Sequence, residues 1–127
     1  MFTVSRYLAL AFALILAVVE ALLNFSRPDG WQYAPLWIID YVIVVALLLG
    51  FWLTRRPGHA AVLLSGWALA VGVFYMALFM ALDPEVNQGQ RPPAFLLSLI
   101  ALGLGVQVLG FVLAAVGASR RKVSAPG

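Results

Sequence analysis

Four apolar runs, at roughly 6–25, 35–54, 60–82 and 94–118, decide most of what this chain can become. Each is near or above the ~20 residues a helix needs to cross ~30 Å of hydrocarbon. Breakers separate them: Pro28-Asp29-Gly30, then Arg55-Arg56-Pro57-Gly58, then Asp83-Pro84 through Arg91-Pro92-Pro93. Backbone groups must be paired inside lipid, and the runs are too long for barrel strands, so the pattern predicts four helices. Short connections predict antiparallel neighbours, hence an all-α four-helix bundle with four transmembrane spans.

Composition agrees. Apolar residues make up 64% of the 127 residues and charged residues 10%, against about 45–50% and about 25% in soluble domains. Too few polar groups remain to cover a water-facing surface. The expectation is one integral membrane domain over 1–118 and a short, basic, disordered tail over 119–127. The first run has a thin positive region and no small-x-small cleavage pattern, and reads as a retained span rather than a signal peptide.

Charge placement predicts orientation. Arg6, Arg55, Arg56, Arg120, Arg121 and Lys122 fall on one side of a four-span topology, and Arg27 and Arg91 on the other. Six against two places both termini in the cytoplasm, in a multi-pass plasma (inner) membrane protein. Every acid lies in the outer half: Glu20, Asp29, Asp40, Asp83 and Glu85. The basic rim reads as an insertion signal in contact with anionic lipid. Trp31, Tyr33, Trp37 and Trp52 suit aromatic belts at the two edges.

Two acids stand inside apolar runs. Glu20 lies about five residues before the end of the first helix and Asp40 about five after the start of the second, so both sit ~7 Å below the outer hydrocarbon edge. A charge facing lipid is unfavourable by up to ~2.5–3.5 kcal/mol, which predicts that both face the bundle interior or a wet cavity. At ~5 Å and an effective dielectric of ~20 they would repel by ~3 kcal/mol. The pair should then share a proton or recruit a cation. The plainer reading is interhelical hydrogen bonding, worth ~0.6 kcal/mol per group.

Candidate companions are Asn24, one turn from Glu20; Trp37, on the face of Asp40; and Tyr41, beside Asp40 but turned by about 100°. Tyr75 joins them on a row with Ser65, Ala68 and Gly72, its hydroxyl within reach of the acids. Gln107, near mid-depth, is a packing amide or the floor of a cavity. Two small-residue rows, Gly103/Gly110/Gly117 and Ala9/Ala13/Ala17, are expected to pack within the bundle or to form a homodimer seam. Trp67 reads as packing, His59 as a solvated loop residue, and Asp83, Glu85, Asn87 and Gln88 as a polar outer loop. The Asn24-Phe25-Ser26 sequon lies too close to the membrane for use.

Cysteine is absent and histidine single, and no nucleotide motif is present, so no cofactor, metal or nucleic acid is expected. In length, number of spans and a glutamate in the first span, the chain is similar to the small multidrug resistance transporters. It departs from them in its second acid, Asp40, and in its one-sided charge. Those transporters and the fluoride channels of similar size resemble dual-topology dimers with weak bias. No family follows from the likeness.

The expected function is an outward-facing, protonatable acidic pocket that binds a small molecule or cation, in a transporter or channel component. The alternatives are an intramembrane acid–base enzyme acting on a lipid or isoprenoid, and an accessory subunit of a larger membrane complex.

Overall fold

The computed structural model describes residues 1–25, 34–56 and 58–124, without the side chains of 23–25, 34–37 and 124. Among the described residues there are four α-helices: α1 (Phe2–Phe25), α2 (Ala34–Leu53), α3 (Ala60–Leu82) and α4 (Ala94–Ser124). Each packs on the next, and α4 closes the ring on α1. Antiparallel order follows from the contacts. Gly110 and Gly103 of α4 lie on Trp67 and Phe74 of α3, Gly117 lies on Phe2 of α1, and Gly50 of α2 lies on Leu63 of α3. One end of the bundle therefore holds both chain termini and the α2–α3 turn. The other end holds Glu20, Asp40 and the α3–α4 loop.

The helices are apolar on their outer faces as well as inside. The buried core is Phe2, Ala9, Ala13 and Leu16 of α1, Ile43, Val44 and Leu47 of α2, Leu63, Trp67 and Ala70 of α3, and Ala114 of α4. Yet Leu14, Ile15, Val18, Leu22, Val45, Leu49, Phe79, Leu102 and Leu109 are exposed. Burying one stripe of each helix leaves the rest with no partner but another apolar medium. Three helices are long and apolar enough to cross a membrane, over Phe2–Leu22, Ala60–Leu82 and Ala94–Val123; the apolar stretch Ile38–Leu53 of α2 is shorter.

Helix boundaries fall within a few residues of the sequence expectation, with two differences. α1 begins at Phe2 because Phe2 itself packs on Gly117. α4 continues to Ser124, so the expected disordered tail is helical over Ser119–Ser124; residues 125–127 lie outside the described part. No proline interrupts this stretch before Pro126, and Arg121 and Lys122 suit the negative end of the helix dipole. The Arg121 guanidinium lies 4.1 Å from the Phe2 ring centroid and fastens the extension to α1. At ~1.5 Å per residue α4 is ~46 Å long, well beyond ~30 Å of hydrocarbon.

The α3–α4 loop is tied to its own backbone. The Glu85 N–H donates to Asp83 Oδ1 at 2.9 Å, and the Asn87 amide donates to the carbonyls of Ala81 and Asp83. Gln88 and Gly89 take positive φ, 53° and 73°, which lets the chain reverse before Pro92.

Candidate acidic site

The core-facing stripe of α1 runs Phe2, Ser5, Ala9, Ala13, Leu16 at steps of three and four, and Glu20 is its next member. On α2 the stripe runs Ile43/Val44, Leu47, Gly50 and continues to Thr54 just past the helix end, and Asp40 is the member before it. Both acids thus continue a buried row to the end of the bundle, where each is half-buried. Register brings them level. Arg6 Nη2 donates to the Phe51 carbonyl at 3.0 Å near the other end, and fourteen residues further along α1 the partner has moved back to Asp40. The two carboxyls are in hydrogen-bonding contact.

Such a contact has a chemical condition. Two ionised carboxylates are acceptors only, so a hydrogen bond between them needs a proton on one. The alternative is a cation placed between them. Among the described residues no group of three or more His, Cys, Asp or Glu side chains is placed to hold a metal ion.

The other candidates distribute differently. Tyr41 is half-buried beside Asp40 on α2. The side chains of Asn24 and Trp37 lie outside the described part, as do Trp31 and Tyr33 of the expected aromatic belt and Arg27 and Asp29 of the first connection. Tyr75 is exposed, its ring 4.7 Å from that of Phe79, on the outside of the bundle. The whole row Ser65–Ala68–Gly72–Tyr75 is the exposed face of α3. The packed face is Leu63, Gly66, Trp67 and Ala70. Small residues mark a close approach only where a neighbour arrives, and in a helix apolar all round nothing in the row says whether one does.

Gln107 is fully buried, and neither amide atom has a hydrogen-bond partner in the protein. It lies on the α4 stripe between Gly103 and Gly110, opposite the Ala9 turn of α1. About eleven residues separate that level from Glu20, or ~16 Å, so Gln107 is not the floor of a pocket under the acids. Both small-residue rows are used inside the bundle. Ala9 and Ala13 have no exposed surface, and the three glycines receive Phe74, Trp67 and Phe2. A homodimer seam through either row would require opening the bundle.

Sequence reasoning missed a polar link at the terminal end. The Trp67 indole N–H donates to Ser5 Oγ at 3.0 Å, and Ser5 Oγ–H donates to the Gly110 carbonyl at 2.7 Å. Three helices meet on one buried hydroxyl. The available signal was the place of Ser5 on the alanine row of α1, the one polar residue there before Glu20. Ser5→Ala would leave a buried indole N–H without a partner, and should lower unfolding stability by ~1–3 kcal/mol. Thermal melting of the detergent-solubilised protein checks this; an unchanged midpoint would mean the link contributes nothing.

Comparison with protein-family models, curated proteins and solved structures returned no match, so neither a family nor a function can be carried over from a relative.

Proposed function

We propose that this is a four-span membrane protein whose Glu20/Asp40 pair is a proton- or cation-binding site open to the outer face. The supporting observation is the contact between two carboxyls that each extend a core stripe. Two acids at one level, on adjoining helices, exceed what interhelical packing requires. The one-sided placement of six basic residues supports cytoplasmic termini and a plasma (inner) membrane location. α2 then crosses as the second span, its first residues reaching the interface. A site that holds either a proton or a cation couples the two by competition, which suits a small transporter or channel component.

The experiment is substitution of each acid by its amide, Glu20→Gln and Asp40→Asn, in the purified protein in lipid vesicles. Infrared difference spectra between acid and alkaline buffer should show a protonated carboxyl band in the parent that loses intensity and shifts in each variant, which keeps only one acid of the pair. Proton release on adding tetraphenylphosphonium, a lipophilic cation, should fall at least tenfold in each. Variants that melt with the parent and keep both signals would end this reading.

A second reading, an accessory subunit, is favoured by Tyr75. A phenol exposed well below the helix end is poorly placed against hydrocarbon and well placed against another protein. The acid–base enzyme reading is weaker, because the same exposure removes Tyr75 from the acids.

A further inference from the structure

A groove at the terminal end is lined by Trp52, Leu53, Arg55, Arg56 and His59. We propose that it is a binding site for the headgroup of an anionic phospholipid, with the lipid's acyl chain lying on α2. This is independent of the acid pair.

The charge argument comes first. Arg6 and Arg55 place their guanidinium carbons 5.2 and 5.6 Å from the centroid of one ring, Phe51. Arg56 and His59 follow in the turn, and Arg6 Nε is buried with no hydrogen-bond partner. Among the described residues the carboxylate side chains, Glu20, Asp40, Asp83 and Glu85, are all at the opposite end. The cations gathered here therefore have no acidic side chain beside them to offset their charge. A phosphate diester supplies both the charge and acceptors for the guanidinium forks.

The apolar argument selects a lipid over a free anion. Val42, Val45, Leu49 and Trp52 recur at steps of three and four, and all four are exposed. They form a column down the outside of α2 that ends at the groove. Ten residues from Val42 to Trp52 span ~15 Å, which is half of a ~30 Å hydrocarbon core. The column matches one acyl chain in one leaflet, and Trp52 stands at the depth where indoles favour the interface. Basic groove and apolar column meet as headgroup and tail do.

The test uses the full chain in a neutral detergent, titrated with phosphatidylglycerol, phosphatidylcholine and inorganic phosphate and followed by native mass spectrometry. Phosphatidylglycerol should be retained in preference to the other two. Arg55→Gln with Arg56→Gln should weaken its binding about twenty-five-fold, taking about fivefold for each charge near the surface. Arg120→Gln with Arg121→Gln, outside the groove lining, should leave its binding nearly unchanged. Trp52→Ser should weaken phosphatidylglycerol and leave phosphate unchanged. Raising the salt should erase the preference in the parent, a measure that needs no variant. Equal retention of phosphatidylcholine, equal binding of inorganic phosphate, or an unaltered Arg55/Arg56 double variant would each overturn the proposal.

Discussion

Gly110→Ala is expected to be among the most damaging single-methyl changes in this protein, lowering unfolding stability by roughly 3 kcal/mol, the upper end of overpacking effects. A Cβ at this position would meet Cζ2, Cε2 and Cη2 of Trp67, all within 2.7 Å. The ring has nowhere to retreat. Trp67 has no exposed surface, its N–H is held by Ser5, and Phe12 packs on it with ring centroids 6.0 Å apart. Moving the indole would break the Ser5 link as well. Gly72→Ala and Gly105→Ala are the controls, because a Cβ at either meets nothing within 4 Å. Both should be neutral or stabilising by up to ~1 kcal/mol through helix propensity. The measurement is the melting midpoint of the three variants in detergent. Trp67→Leu, harmful alone, should be less harmful on the Gly110→Ala background, since the two residues share one contact. Additive effects would show that the seam is looser than its geometry.

Gln107→Leu should do the reverse and raise stability, by about 1–3 kcal/mol. The amide carries two donors and an acceptor into the middle of the bundle, and neither atom finds a protein partner. An unsatisfied buried polar group is unfavourable by about that amount, and leucine fills a similar volume without one. Thermal melting reads the change directly. A stabilised variant would identify Gln107 as a residue retained at the expense of folding, as functional residues commonly are. A destabilised variant would show instead that the amide is bonded in the working protein, to water or to a bound molecule. Gln107→Glu, which adds a charge without a partner, should be worse than either under both outcomes.

The two predictions concern the same stripe of α4 for one reason. Its core positions are Gly103, Gln107, Gly110, Ala114 and Gly117, and four of the five have little or no side chain. The bulk filling the interior there comes from α3 and α1, as Trp67, Phe74 and Phe2. Sensitivity on α4 is therefore to additions of volume and of polarity, not to deletions.

Helix number, approximate bounds and antiparallel order were legible because each depends on one local property. Run length against the hydrocarbon thickness gives the helices, proline and glycine give the ends, and short connections give the order. The nearness of Glu20 to Asp40 was legible for the same reason, since equal distances from a short connection imply equal levels. Facing was not legible. Tyr75 was expected to reach the acids and is outward; Gln107, read as a packing amide or a cavity floor, is buried ~16 Å from the acids with no hydrogen-bond partner in the protein. Ser5 was passed over, and it joins α1, α3 and α4.

In a water-soluble helix polarity labels the buried face, because only one side is apolar. Here the apolar residues run all the way round, and that label is missing. Which face turns in depends instead on whether a glycine on one helix meets a bulky side chain on another. That is a property of pairs of residues far apart in the chain, and it exists only once the helices are packed.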